Sequence, residues 1–292
     1  MIRGSIVALI TPFHQDGSVN YSKIEELIEW HIEEGTGGVL VLGTTGETPS
    51  LTEDEKDQIA MTAIRASDGR IPIIVGSGSN NTYEARNQSL KYQEMGADAV
   101  LVITPYYNKT NKRGMLEHFY AVANAISIPM ILYNVPGRTG CTLTYEAVRE
   151  LSRHENIVGI KEASGDITLV SKIAKLASDD FAIYSGNDDM IVPLMSLGGA
   201  GVISVLANIL PRETSLMTKA FLEGDIERAK QLQLHYLDFI FALFSETNPI
   251  PIKEAMNLIG LDVGGYRLPL YAMEDSTRAM LADTMRQVGF AV

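Results

Sequence analysis

The chain has 292 residues, 46% of them hydrophobic and 21% charged, and carries a formal net charge of −12. That is the composition of a globular protein with enough apolar residues for one large core or two small ones. The acidic balance argues against a nucleic-acid or anionic-membrane partner. No run approaches the roughly 20 apolar residues of a membrane span. A single cysteine, Cys141, excludes an intramolecular disulfide and suits a reducing compartment. The N-terminus passes straight into Ser5-Ile6-Val7 without a leader pattern, so a cytoplasmic location is expected.

Eight short apolar runs follow one another along the chain: 5–10, 38–42, 72–75, 99–103, 129–132, 157–160, 181–184 and 201–205. Each is rich in Val, Ile or Leu, is too short for a helix and lacks polar alternation, as parallel strands buried on both faces do. Helical segments separate them at 22–34, 56–67, 81–95, 112–126, 144–152, 167–177, 190–197 and 212–222. The second of these is preceded by Thr52-Glu53-Asp54-Glu55, a capping box. Eight strand–helix units predict an α/β chain folded as a (β/α)8 barrel, an architecture of about 250 residues. An open sheet would want a glycine-rich fingerprint after its first strand, and Ile10-Thr11-Pro12-Phe13 is not one. After Gly224 the alternation stops. Helices at 225–245, 252–259 and 275–288, interrupted by Asn248-Pro249-Ile250-Pro251, predict a three-helix appendage. The expected division is a catalytic barrel over 1–224 and a helical domain over 225–292.

In such a barrel the chemistry gathers where strands end. The second strand ends in Gly43-Thr44-Thr45-Gly46-Glu47, a tight turn offering backbone N–H groups and two hydroxyls to a small carboxylate. It lacks the lysine of a phosphate loop. The fourth ends in Thr104-Pro105-Tyr106-Tyr107-Asn108. The fifth leads into Tyr133-Asn134-Val135-Pro136-Gly137-Arg138, which joins a phenol to a guanidinium able to grip a carboxylate with two bonds. The sixth closes on Lys161. Burial of an amine disfavours its charged form, and the free amine is the nucleophile of Schiff-base chemistry. The seventh ends in Ser185-Gly186-Asn187-Asp188, where a missing side chain lets a substrate approach backbone, and the eighth offers Ile203 as a pocket wall or backbone acceptor.

Other chemistries find no support. The histidines His14, His31, His118, His154 and His235 show no zinc-ligand spacing, and His31 and His118 read as packing or surface residues of helices. Cys141 has no histidine partner in the pattern. Asp188 and Asp189 could bind a hard cation, but a lone acidic pair usually caps a helix, and Asp189 precedes such a segment.

Gly38–Glu47, with Tyr133-Asn134-Val135-Pro136 and Ile160-Lys161-Glu162, resembles the signatures of the pyruvate-dependent class I aldolase barrels, the N-acetylneuraminate lyase family. The likeness extends through Asn248-Pro249-Ile250-Pro251-Ile252-Lys253. Arg138 is similar to the loop arginine of the family's lysine-biosynthesis synthases, whereas lyases of sialic and keto-sugar acids generally lack it. The resemblance implies a condensation of pyruvate with L-aspartate 4-semialdehyde that needs no cofactor and no metal. It assigns Lys161 to the imine, and Tyr133, Thr44 and Tyr107 to a proton relay, Tyr107 reaching in from a neighbouring subunit. Thr45, Gly186 and Ile203 would contact pyruvate and Arg138 the semialdehyde. It also implies a homotetramer built as a dimer of dimers, and a lysine-inhibition site at Thr48, Pro49, Asn80, Glu84 and Tyr106. Glu53 and Lys56 stand where lysine-inhibited bacterial enzymes carry histidines, so weak or absent feedback is expected. The competing readings are a pyruvate lyase acting on a 2-keto sugar acid or acylneuraminate, and a non-catalytic carboxylate-binding relative.

Overall fold

The computed structural model describes residues 2–292. Eight parallel strands close into a barrel in chain order: β1 (Gly4–Ala8), β2 (Gly38–Val41), β3 (Ile73–Gly76), β4 (Ala99–Ile103), β5 (Met130–Asn134), β6 (Ile157–Glu162), β7 (Ala182–Ser185) and β8 (Gly201–Ser204). β1 pairs with both β2 and β8, which closes the ring. Every predicted run is a strand. The lack of polar alternation has a simple cause. Along each strand one set of side chains fills the barrel, as do Ile6, Leu40, Ile74, Leu101, Ile131 and Ile203. The other set, including Val7, Val39, Val75, Val102 and Leu132, packs under the surrounding helices. Both faces are dry, so both are apolar.

Two strands run two residues further than their apolar stretches. β5 continues to Asn134 and β6 to Glu162, with Tyr133 opposite Lys161 and Asn134 opposite Glu162 in the ladder. The extension is held from outside the barrel, where Asn134 Nδ2 donates to Glu162 Oε2 at 2.8 Å and Leu143 N–H donates to Asn134 Oδ1 at 2.9 Å. Tyr133 and Lys161 therefore sit on rigid strand backbone rather than in the turns that follow.

The appendage is present, with its first predicted helix divided in two. Ile226–His235 and Leu237–Ala242 meet at Tyr236, whose backbone (φ −95°, ψ 2°) leaves helical geometry beside the edge-on ring of His235. Helices Ile250–Leu258 and Asp275–Gln287 follow. Leu232, Phe239, Ile240, Leu243, Ile252, Met256, Leu281 and Met285 join the same apolar cluster as Leu9, Ile10 and Leu206 of the barrel. The appendage therefore has no separate core; it extends the barrel's. No helix among the described residues is long and apolar enough to cross a membrane.

Candidate active site

A cavity of about 340 Å³ opens over the C-terminal ends of β2 to β5, with Thr44, Ile103, Tyr106, Tyr133 and Arg138 among its wall residues. Lys161, Thr45 and Ile203 are buried and are not part of its wall. Lys161 is only 5% exposed, and its Nζ lies 4.6 Å from the centroid of the Tyr133 ring. It makes no hydrogen bond or ion pair within the described residues. Its stem needs Gly186: a Cβ there would stand 3.1 Å from Lys161 Cε and 2.6 Å from Ala163 Cβ. The glycine at the end of β7 thus clears the path of the β6 lysine. Gly186 is fixed in turn by its N–H, which donates to Glu162 O at 2.7 Å.

The turn after β2 is a single 3-10 turn over Thr44–Gly46, closed by Gly46 N–H to Gly43 O and Glu47 N–H to Thr44 O. The N–H groups of Thr44 and Thr45 open that turn, so they are the pair left without an internal acceptor. The strained residues are not the two glycines. Gly43 has φ −81°, while Leu42 (φ 57°) and Glu47 (φ 54°) take the left-handed region. Non-glycine residues in that region cost about 1–3 kcal/mol each and persist only where surroundings hold them. Glu47 is held by a buried ion pair, Lys253 Nζ to Oε1 at 2.8 Å, and by Arg267 N–H to Oε2 at 3.2 Å. Lys253 is 0% exposed and also donates to Thr11 O at 3.0 Å. Burial pulls its pKa down to about 8, with Glu47 opposing.

Arg138 rides on the short helix Pro136–Thr139 after β5, started by Pro136 and capped by Gly140 (φ 65°). Its Nη2 donates to Asn248 O at 3.0 Å, and Asn248 Nδ2 donates to Thr45 Oγ1, also at 3.0 Å. One residue of the appendage therefore touches two of the predicted site residues.

Tyr107 is not brought in. It is 91% exposed, takes φ 65° and is absent from the cavity wall; no hydrogen bond links it to Thr44 or Tyr133 among the described residues. Of the predicted regulatory positions, Thr48, Pro49, Glu84 and Tyr106 share the outer part of the cavity with Glu53 and Lys56. Asn80 is not on that wall, and its carbonyl accepts from Asn108 Nδ2 at 3.0 Å. Lys56 Nζ pairs with Glu53 Oε1 at 2.7 Å.

Asp188 is not the helix cap it was expected to be. It is buried, and its Oδ2 accepts from Val205 N–H at 3.0 Å and Leu206 N–H at 2.9 Å, tying the β7 loop to the β8 loop. The reason is position: Asp188 is the first residue inside the 3-10 turn Asp188–Met190, with Asn187 at the N-cap position, and its carboxylate meets the neighbouring loop instead. Burial pushes its carboxyl above the usual range, against the two backbone donors and the charge of Lys161. Burial also raises Glu162, against hydrogen bonds from Ser164 and Asn134. Glu162, Asn134, Asp188 and Asn248 are the supporting residues that strand-end reading missed. For Asn134 and Glu162 a signal existed, since alternation along β5 and β6 aims them away from Tyr133 and Lys161. His31 and His118 are buried packing residues, as expected. No group of three metal-binding side chains occurs among the described residues.

A closed (β/α)8 barrel with an unpaired lysine buried at a strand's C-terminal end has the architecture of a class I aldolase. The chain belongs to the dihydrodipicolinate synthetase family, whose model matches residues 1–288. It is 51% identical over 290 residues to the 4-hydroxy-tetrahydrodipicolinate synthase of Thermoanaerobacter sp. strain X514, covering 99% of this chain and 97% of that one. Among solved structures it is similar to the chloride-inhibited dihydrodipicolinate synthase of Acinetobacter baumannii complexed with pyruvate, with TM-score 0.97 and 41% identity over the whole of both chains. It is also similar to the lysine-bound enzyme of Cyanidioschyzon merolae, with TM-score 0.96 and 40% identity over 99% and 98% of the two chains.

Proposed function

We propose that this chain condenses pyruvate with L-aspartate 4-semialdehyde to give 4-hydroxy-tetrahydrodipicolinate, in the diaminopimelate route to lysine. The observation that carries the reading is Lys161: a side chain buried against the Tyr133 ring, with no ionic partner among the described residues and with Gly186 clearing its stem. The Lys161 amine attacks the pyruvate ketone and water leaves, forming an imine. Loss of a methyl proton gives an enamine, whose carbon forms the new bond to the semialdehyde carbonyl; the semialdehyde's own amino group then displaces the Lys161 amine from the imine carbon, closing the ring and freeing the lysine. Tyr133 carries protons in these steps with Thr44, which shares its cavity. Thr45 and the free N–H groups of its turn hold the pyruvate carboxylate, and Arg138 holds that of the semialdehyde. Gly186 and Ile203 supply backbone beside the imine. Tyr107 completes the relay from a neighbouring copy, in a tetramer assembled as a dimer of dimers; its 91% exposure leaves it available. The division at Gly224 is functional in this reading: 1–224 carries the chemistry and 225–292 braces it. Half-exposed, unpaired Cys141 suits a reducing, cytoplasmic setting.

The outer cavity, with Thr48, Pro49, Glu84 and Tyr106, together with nearby Asn80, forms an L-lysine site of low affinity, because Lys56 adds a like charge that Glu53 offsets only in part. Half-inhibition by L-lysine well below millimolar would overturn that part.

The test is a coupled condensation assay with pyruvate and aspartate semialdehyde, set against a panel of 2-keto sugar acids and acylneuraminates. Turnover of the semialdehyde is expected; retro-aldol cleavage of the sugar acids without condensation would reject it. Borohydride with pyruvate should add a reduced-imine mass, lost in Lys161→Ala.

A further inference from the structure

We infer that Asn248 is a positioning residue for the pyruvate arm of the site, acting by making the Thr45 hydroxyl an obligate donor. The inference rests on the reading of Thr45 as a pyruvate contact. Asn248 belongs to the appendage, 203 residues further along the chain than Thr45, and is 6% exposed. Its amide Nδ2 donates to Thr45 Oγ1 at 3.0 Å. A hydroxyl has one proton and two lone pairs. With a lone pair occupied by an amide N–H, the proton of Thr45 must point elsewhere, and it finds no acceptor among the described residues. It joins the N–H groups of Thr44 and Thr45 as a donor suited to an anion.

The surroundings hold the two groups in place. The turn cannot rotate, because Thr11 Oγ1 donates to Gly46 O at 2.7 Å and Lys253 grips Glu47 at its far end. Asn248 cannot drift, because its own carbonyl accepts from Arg138 at 3.0 Å and the following helix, Ile250–Leu258, is anchored by Lys253. The two roles of Asn248 are separable. The side chain serves Thr45, whereas the carbonyl serves Arg138 and survives any substitution.

That separation gives the experiment. Steady-state constants for both substrates are measured for Asn248→Ala, Asn248→Asp, Thr45→Val and the Thr45→Val/Asn248→Ala double variant, with melting curves for each. Asn248→Ala should raise the KM for pyruvate roughly five- to tenfold and leave that for the semialdehyde within about twofold, the loss of one neutral hydrogen bond. Asn248→Asp is nearly isosteric but only accepts, so it draws the Thr45 proton to itself. It should raise the pyruvate KM further than alanine does, by roughly tenfold or more. The double variant should be no worse for pyruvate than Thr45→Val alone. An Asn248→Asp enzyme with wild-type pyruvate KM, equal rises in both KM values for Asn248→Ala, or additive losses in the double variant would each overturn the inference. If Asn248→Ala does not fold, the aspartate and valine variants decide alone. An unchanged pyruvate KM in Thr45→Val would instead remove the underlying reading of Thr45, and with it this inference.

Discussion

Two buried lysines set the proposed region of chemistry against a region of architecture. Lys161 stands at the end of β6, and Lys253 in the helix Ile250–Leu258 of the appendage. Exposure hardly separates them, at 5% and 0%. Nor does the aromatic contact, since Lys161 Nζ lies 4.6 Å from the Tyr133 ring and Lys253 Nζ lies 4.3 Å from that of Phe13. Partnership does. Lys253 spends its donors on Thr11 O and Glu47, whereas Lys161 has no hydrogen bond or ion pair among the described residues. A side-chain nitrogen tied to partners is fixed in place, whereas one without them is open to a carbonyl. Burial alone therefore does not tell the lysine proposed to form the imine from one that braces the fold.

Removing each lysine should break the comparison into its two halves. Lys161→Ala is expected to lower kcat by on the order of 10⁴-fold or more, as removal of a covalent nucleophile does, and to abolish the borohydride adduct with pyruvate. Its melting curve should stay near that of the parent. Tyr133→Phe keeps the ring over Lys161 and removes only the hydroxyl. It should cost about 10²–10⁴-fold in kcat, the range of a lost proton carrier, while the adduct still forms, more slowly. Lys253→Met works on the other half. It leaves Glu47 buried and unpaired at a left-handed backbone position, so unfolding should become easier by about 3–5 kcal/mol. The adduct at Lys161 should still be trapped. Adding Glu47→Gln should recover part of that loss, because a buried charge without a partner costs more than a missing pair. Denaturant titration with mass spectrometry reads both quantities on the same samples.

The barrel was legible because its signal is repetitive: eight dry strands at regular spacing leave little freedom for topology. That Thr44, Tyr133 and Arg138 would share one cavity, with Lys161 against the Tyr133 ring, was legible for a related reason, since strand ends converge and all four are strand-end or strand-following residues. What escaped was everything joined over long separations. Asn248 meets Thr45 and Arg138 from 203 and 110 residues away, and Lys253 meets Glu47 from 206. No local pattern encodes such pairings. The strain in the β2 turn left no mark in the sequence for the same reason: Leu42 and Glu47 carry left-handed torsions, and Glu47 is held there by Lys253 and Arg267 from the appendage. Asp188 read as a cap on local grounds and is instead a tie between loops.

The smallest effect expected from the Lys253 region is one of slope, and it tests whether burial or pairing governs that lysine. Burial lowers its pKa from 10.5 to about 8, with Glu47 pulling the other way. Below about pH 8 both folded and unfolded chains hold the proton, so Lys253 adds no pH dependence. Between about pH 8 and 10.5 the folded chain has released it while the unfolded chain still binds it. The unfolded state then carries more protons, and stability rises with pH through that window. Lys253→Met lacks this contribution. The stability gap between parent and variant, read by denaturant titration at about pH 7, 8.5 and 10, should therefore widen toward the alkaline end. A gap that stays flat or narrows would mean that Glu47 holds the ammonium more strongly than burial expels it. The contrast with Lys161 would then become sharper still, with one buried lysine kept charged by its partner and the other left without one.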